Sequence, residues 1–352
     1  MESAIFSPDF AGAERPRVTI AIATFNSAAF VRAALTSALR QTIAEIEVVV
    51  VDDGSSDATV ATVEEMAASD PRIRFGRTAR NGGPAAARNR ALECARGMWF
   101  AVLDSDDLFA ADRLERLVEA ADASMADIVA DNLVMFGDGE ADSARFFLQS
   151  GTTDRWLDLD HYLAETRMFA RRGANYGFLK PMIRLDALRA ARLRYDERLR
   201  IGEDDDLVVR MLLAGMRYRL MDYVGYAYRK HGASISHRLP AESAAAMVSA
   251  SADIVAAAGP AHPAAALLCS RHAALQRAAA FTGMIDAMKQ RRLDVALRLA
   301  LSRPASLPLL RMPLGAVVAR LFRRSRSNIR ATADPAAKAV LGALTARVET
   351  EA

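Results

Sequence analysis

The sequence predicts an α/β fold: a mostly parallel sheet flanked by helices, followed by a helical C-terminal extension. Three observations predict it. Short apolar runs recur at Val18–Ala23, Val48–Val51, Ile73–Phe75 and Met98–Leu103, and helix-length segments separate them. Three of these runs stop abruptly at polar residues, namely Thr24-Phe25-Asn26, Asp52-Asp53 and Asp104-Ser105-Asp106-Asp107. A buried strand reads this way when its tip emerges into a polar cleft. Finally, residues 241–300 are alanine-rich and helical in pattern, broken at Gly259-Pro260 and Pro263.

The bulk composition narrows the class. A chain of 352 residues with 52% hydrophobic content has room for one large domain or two ordinary ones. Cys94 and Cys269 are the only cysteines, which excludes a disulfide framework. They lack CxxC spacing, so a zinc site is not expected and a reducing compartment is. The first 16 residues hold Asp9, Glu14 and two prolines and no apolar core, so no signal peptide is expected. Without 18 uninterrupted apolar residues, no membrane span is expected either. The net charge of +3 conceals an asymmetry, because residues 295–330 carry eight arginines and no acid. An acidic body with a basic segment argues against general nucleic-acid binding and for a localised anionic partner.

Along the chain, Ser27 is placed to cap a helix over Ala28–Leu39 with Phe30, Ala34, Leu35 and Ala38 on one face. The valines 48–51 form a strand buried on both sides, and a helix follows over Ala58–Ala68. Asn81-Gly82-Gly83 is a turn, and Pro84 opens a helix to Cys94. Three strand–helix units leading into Met98–Leu103 give a right-handed parallel arrangement. A helix over Ala111–Ala121 and a strand over Asp127–Phe136 come next, while residues 140–175 show no clear pattern. Tyr176–Arg184 reads as extended, with Pro181 disfavouring a central strand. The acids Glu203–Asp206 open a helix over Leu207–Ala214 that Gly215 stops. Tyr218–Tyr228 reads as a further strand pair, followed by a basic loop over 229–238.

In such sheets ligands bind beyond the carboxyl ends of the strands. The polar residues expected there are Thr24, Asn26, Asp52, Asp53, Asn81, Asp104 and Asp106. No GxGxxG follows the first strand, which argues against a nicotinamide cofactor, and the absence of GxxxxGK[ST] excludes a P-loop. Asp104 and Asp106 are two residues apart, so in extended backbone both carboxylates leave on one side and suit a hard divalent cation. The same residues read equally as a strand followed by an acidic cap for the next helix.

With these residues placed, the chain resembles a family 2 glycosyltransferase of the GT-A fold, a Rossmann-like, mostly parallel sheet flanked by helices. The resemblance rests on Thr24-Phe25-Asn26, Val51-Asp52-Asp53-Gly54-Ser55-Ser56-Asp57, Asn81-Gly82-Gly83 through Ala87-Arg88-Asn89, Leu103–Asp107, Gly202-Glu203-Asp204, and Arg229-Lys230-His231 through Ser236. Each motif is weak alone; their order and spacing over roughly residues 17–238 make the signal. Ala23 departs from the proline usual before Thr-Phe-Asn. Gly177-Phe178-Leu179-Lys180-Pro181-Met182 and Tyr195 through Asp204 resemble bacterial succinoglycan-type exopolysaccharide glucosyltransferases. The QxxRW motif of processive synthases is absent, so a single transfer per encounter is expected. The implied organisation is an N-terminal arm (1–16), a GT-A domain (17–238), a helical region with a basic amphipathic segment (239–326) and a loosely helical tail (327–352).

The resemblance implies that an acceptor hydroxyl attacks the anomeric carbon of a nucleotide sugar, expected to be UDP-glucose, with inversion. Asp204 is the implied general base, with Asp205 next and Glu203 orienting. Mg²⁺ or Mn²⁺ is the implied cofactor, held by Asp106, with Asp104 lying toward ribose and metal and His231 completing the shell or touching the diphosphate. Asp53 and Asp52 would hold the base or ribose, and Thr24 and Asn26 would line the same pocket. Gly82 and Gly83 let the backbone approach the nucleotide. Arg88 is either a nucleotide contact or a structural ion-pair partner. Lys180 faces the diphosphate or acceptor, or is a solvated strand-end lysine. Trp99 is assigned to the core and Trp156 to packing. The implied acceptor is a polyprenyl-diphosphate-linked oligosaccharide, and residues 305–326 read as an interfacial helix on an anionic membrane surface or as a helix packed on the domain. A cytoplasmic, peripheral position on the inner face of the membrane follows. The alternatives are transfer of galactose, a uronic acid or rhamnose to another surface glycan, a sugar-nucleotide pyrophosphorylase, whose Gly-rich basic loop is missing, and a non-catalytic binding protein.

Overall fold

Four consecutive valines put β-branched side chains on both faces of one strand, and the surrounding fold covers both. A computed structural model describes residues 5–6, 15–137, 140–148, 154–166, 175–232, 239–310 and 334–349. The chain divides into two compact units.

The first unit comprises residues 1–162, 176–233 and 333–352. Its first half alternates strands and helices: β1 (Ile5–Phe6), β2 (Val18–Thr24), α1 (Val31–Leu39), β3 (Ile46–Asp52), α2 (Thr59–Ser69), β4 (Ile73–Arg77), α3 (Pro84–Cys94) and β5 (Trp99–Val102). β6 (Leu108–Phe109), α4 (Arg113–Ser124), β7 (Ile128–Gly137), β8 (Glu140–Phe146), β9 (Arg155–Leu157) and α5 (Leu159–Glu165) follow, the unit's first segment ending within α5 at Tyr162. A 3₁₀ turn at Tyr176–Phe178 leads into β10 (Met182–Arg184), α6 (Leu185–Ala190), α7 (Glu203–Leu213) and β11 (Tyr218–Lys230). The sheet order is β1-β4-β3-β2-β5-β10-β7-β11-β6, with β8 on β7 and β9 on β11. β2 to β5 pair in parallel, as do β7 and β11, whereas β10 is antiparallel to both its neighbours. β3 is buried at every position, and Val18, Ile20, Trp99 and Phe100 are buried beside it. The chain builds from β2 through β3 to β4, then returns to place β5 on the other side of β2. That reversal opens a crevice at the carboxyl ends of β2 and β5, where Thr24 and Asp104 lie.

Three expectations need correction. Pro181 does not exclude a central strand, because β10 begins one residue later and the missing N–H falls outside the ladder. Tyr218–Lys230 is one long strand and not a strand pair. The register shifts around Val224, and a Cβ on Gly225 would lie only 2.6 Å from Asp131 Oδ2. The expected tail over 327–352 contains α11 (Pro335–Glu349), which belongs to the first unit. Ala337, Leu341 and Leu344 form a helical stripe buried against Leu108, Val134, Phe136 and Ala227.

The second unit comprises residues 163–175 and 234–332. α8 (Ala241–Ala258) and α10 (Leu293–Ser302) each pack on α9 (Ala265–Lys289), as does a 3₁₀ segment at Pro304–Leu310. Among the described residues α8 alone is long and apolar enough to cross a membrane; it carries Glu242 and Asp253 and buries Ala244, Met247, Ala250 and Ile254. Residues 311–326 of the expected interfacial helix lie outside the described residues.

Candidate active site

The polar residues at the tips of β2 and β3 build a loop scaffold. Asp52 is fully buried; its carboxylate accepts from Thr24 Oγ1 at 3.1 Å and from the Ser55 N–H at 2.9 Å, and Arg77 lies 3.4 Å away. Thr24 is equally buried. These two expected pocket-lining residues therefore brace β3 against β2, because both ends of their hydrogen bonds are used internally. Asn26 sits at φ +49°, a conformation asparagine tolerates. Its side-chain oxygen accepts from the Ser56 N–H at 2.9 Å, tying the loop after β2 to the loop after β3.

Asp53 organises the next loop. Its carboxylate accepts from the N–H groups of Gly82 (2.9 Å) and Gly83 (2.7 Å) and from Thr78 Oγ1 (3.2 Å). Burial raises its pKa, and the two glycine N–H groups work against that rise. Gly83 lies at φ +93° and ψ 168°, a region almost confined to glycine. Over this loop lies Arg200, whose Nη1 donates to Asn81 Oδ1 at 2.6 Å.

At the tip of β5 the two aspartates part company. Asp104 accepts from Arg88 Nη2 at 2.6 Å and lies 2.8 Å from Lys180 Nζ. Burial opposes its charge, yet Lys180 and Arg88 hold its pKa well below the usual carboxylate range. Asp106 has a different partner, its Oδ2 lying 2.7 Å from His231 Nε2. Burial and the Asp104 charge both raise its pKa. Among the described residues no three His, Cys, Asp or Glu side chains gather as a metal-binding group. The expected set of Asp104, Asp106 and His231 is thus only partly assembled, because two cations already neutralise Asp104. Asp106 and His231 do fit Mg²⁺ or Mn²⁺: a carboxylate and an imidazole meet, and the carboxylate sits beside another negative charge.

The four acids opening α7 have four different surroundings. Glu203 pairs with Arg88 at 2.5 Å. Asp204 pairs with Arg88 at 2.9 Å and with Lys180 at 2.7 Å. Asp205 accepts from Tyr162 Oη at 3.1 Å, and Asp206 pairs with Arg210 at 2.7 Å. Asp204 alone of the four shares both its cations with Asp104. Arg88 is a buried ion-pair hub that pairs with Asp104, Glu203 and Asp204. Lys180 is buried rather than solvated. Burial opposes its charge, but Asp104 and Asp204 hold its pKa above the ordinary value.

Sequence reasoning missed the residues that fix this arrangement. Tyr226 Oη donates to Asp107 Oδ2 at 2.7 Å and accepts from the Asp104 N–H at 3.2 Å. Fully buried Arg113 pairs with Asp131 at 2.8 Å and donates to the Lys180 carbonyl at 2.7 Å, which sets the lysine's backbone. Their only local signal was a tyrosine and an arginine at inward positions of an alternating strand and an amphipathic helix. Trp99 is core, as expected, whereas Trp156 is largely exposed and stacks against Arg217 at 4.5 Å.

A mixed, mostly parallel sheet with a reversal crevice, an acidic pair at the tip of β5 and an acidic helix start facing it define a glycosyltransferase of the GT-A type. The chain belongs to glycosyl transferase family 2, whose family model matches residues 19–197. It is 39% identical over 311 residues to the succinoglycan biosynthesis protein ExoO of Rhizobium meliloti (strain 1021), covering 88% of this chain and 88% of that protein. ExoU of the same organism is 37% identical over 222 residues, 62% of this chain and 64% of that protein. Among solved structures, S. aureus TarS 1-349 in complex with UDP-GlcNAc superposes with a TM-score of 0.56 at 18% identity, over 82% of this chain and 92% of that one. Mannosyltransferase PcManGT from Pyrobaculum calidifontis, in complex with GDP-Man and Mn²⁺, gives 0.55 at 18% identity, over 96% and 88%. These two share the fold.

Proposed function

We propose that the protein is an inverting glycosyltransferase that moves glucose from UDP-glucose to a polyprenyl-diphosphate-linked oligosaccharide during exopolysaccharide assembly. The observation that carries this reading is the sharing of Lys180 and Arg88 between Asp104, at the donor crevice, and Asp204 at the start of α7. Asp204 takes the proton of the acceptor hydroxyl. The freed oxygen lone pair forms the new bond to the anomeric carbon while the bond from that carbon to the phosphate oxygen breaks, its electrons leaving with UDP. Lys180 and Arg88 stand beside the position where that negative charge grows. Mg²⁺ or Mn²⁺ held by Asp106 and His231 would supply further positive charge to the departing diphosphate. The names of the two Rhizobium relatives support an exopolysaccharide product, and the UDP-GlcNAc and GDP-Man complexes of the structural neighbours support a nucleotide-sugar donor.

A position on the inner face of the cytoplasmic membrane suits such an acceptor. It is supported by the arginine-rich segment within 305–326 and by Leu293, Leu297 and Leu301, one helix face of α10 that is 69%, 60% and 73% exposed. The test is a donor screen with purified protein, a lipid-diphosphate acceptor and Mg²⁺ or Mn²⁺. UDP-glucose should be consumed in preference to UDP-galactose, UDP-glucuronate and dTDP-rhamnose, and EDTA or Asp106→Ala should suppress turnover. Preference for another donor would overturn the glucose assignment, and full turnover in EDTA the metal assignment. Flotation with anionic vesicles tests the membrane reading, which recovery of the protein entirely in the lipid-free fraction would reject.

A further inference from the structure

Phe178 is 39% exposed, an unusual setting for a large aromatic side chain beside a catalytic crevice. Its ring meets Phe147 at 5.8 Å and stands edge-on to Tyr228 at 6.2 Å and 88°. Both partners are themselves partly exposed. None of the three lies in the motifs that serve the nucleotide.

Two relationships tie this cluster to the reacting groups. Tyr226 and Tyr228 are two residues apart in a stretch of β11 that keeps unbroken register with β7, from Tyr226↔Leu133 to Tyr228↔Met135. Their side chains therefore leave on one face of the sheet. Tyr226 on that face already reaches Asp104 and Asp107, and Tyr228 is the next step toward the carboxyl end. From the other side, Phe178 lies two residues before Lys180, whose ammonium is 2.7 Å from Asp204. The 3₁₀ turn that carries Phe178 packs on α7, where Asp204 occupies the first turn.

A pyranose ring is chemically two-sided: C–H bonds project from its faces and hydroxyls from its rim. An aromatic face, with its negative π surface, attracts the polarised C–H groups and leaves the rim free for hydrogen bonding. We propose that Phe178, backed by Phe147 and Tyr228, is the platform on which the accepting sugar ring stacks, presenting a rim hydroxyl to Asp204. This inference rests on Asp204 being the base of a glycosyl transfer. It assigns the acceptor, which the shared motifs do not address, to the aromatic side of the crevice.

Saturation-transfer NMR tests it without requiring turnover. Methyl β-D-glucopyranoside and methyl β-D-galactopyranoside are offered to the full chain with UDP and Mg²⁺ present. The wild type should transfer saturation to protons on one face of the ring. Phe178→Ala and Phe178→Leu should weaken this about tenfold, and Phe178→Trp should retain it, with UDP affinity unchanged in all three and the thermal midpoint kept in Phe178→Leu and Phe178→Trp. Phe178→Leu keeps apolar bulk but has no ring face, so it separates stacking from folding. Equal saturation in wild type and Phe178→Leu would overturn the proposal, as would no saturation of either glycoside by the wild type. Failure of the wild type to bind UDP would instead defeat the UDP-sugar reading beneath it.

Discussion

Lys180 and Asp204 form a 2.7 Å ion pair, and the same ammonium lies 2.8 Å from Asp104. One buried cation thus spans the residue at the donor crevice and the residue that would deprotonate the acceptor. Arg88 repeats the connection at 2.6 Å and 2.9 Å. Buried charges persist only when paired with good geometry, and removing one partner strands the other. The spacing between the two reacting sides is therefore set by electrostatics as well as by backbone.

Replacing Lys180 by Met removes one of the two bridges. Asp204 keeps Arg88, so UDP affinity should change little, while kcat should fall by about 100-fold. Lys180→Arg restores a charge but not the compact ammonium geometry, and should recover only part of the loss. Steady-state kinetics with both substrates varied make the check. A rise in donor KM with kcat unchanged would show that Lys180 acts in ground-state binding alone.

The four acids of α7 should respond very differently to amide substitution. Asp204→Asn removes the proposed proton acceptor and should lower kcat by about 10²- to 10⁴-fold, leaving UDP binding intact by calorimetry. Asp205→Asn disturbs the hydrogen bond from Tyr162 but leaves Asp204 its ion pairs with Arg88 and Lys180, and should stay within a few-fold of wild type. Comparable losses in both variants would remove the base assignment from Asp204.

Much of this fold could be read locally, and the reasons are physical. A strand such as Ile46–Asp52, buried throughout, must be apolar at every position, so its four valines stand out. Its tip must be polar because it leaves the core there. The motifs around Asp53 and Asp104 were legible for the same reason, and that around Asp204 as an acidic helix start. What could not be read were pairings set from afar. Lys180 looked like a strand-end lysine because nothing near it in sequence reveals Arg113 holding its carbonyl. The division of labour between Asp104 and Asp106 depends on Arg88 and His231, residues 16 positions before and 125 after their respective partners. Tyr218–Tyr228 read as a strand pair, whereas it belongs to one strand that passes close to Asp131 at Gly225.

Acid should loosen the loop after β2 through Asp57. Its carboxylate accepts from the Thr59 N–H at 3.0 Å and the Ala28 N–H at 3.1 Å, and also from Thr59 Oγ1. Slight burial opposes the charge, but these hydrogen bonds hold the pKa below its ordinary 3.8. A depressed carboxylate pKa means that the folded state binds the proton less readily than the unfolded chain. Its stabilisation is present above the unfolded value and is lost as pH falls through the folded one. Asp57→Ala should therefore lower the thermal midpoint at neutral pH, by the equivalent of about 1 kcal/mol for a lost helix-start acceptor. The wild-type and variant midpoints should converge as pH drops below about 4. Midpoints separated equally at pH 7 and in acid would show that Asp57 acts through packing alone.

The loop at Asn81-Gly82-Gly83 supplies a separate test, because its constraint is conformational. Gly83 holds φ +93° and ψ 168° directly before Pro84, and that geometry aims its N–H at the Asp53 carboxylate, 2.7 Å away. A Cβ there would find room, its nearest neighbour being Arg200 Cγ at 3.4 Å. The cost of Gly83→Ala is thus backbone strain of about 1–3 kcal/mol and not a clash. The loop can relieve it by rotating Gly83 away from Asp53, which leaves a buried carboxylate short of one donor. Gly83→Ala should accordingly lower stability and weaken UDP binding together, while Arg200→Ala, which leaves the backbone untouched, should preserve stability. Thermal melts and calorimetric titration with UDP distinguish the two. Wild-type UDP affinity in Gly83→Ala would mean that the Asp53 loop is scaffold only and takes no part in holding the nucleotide.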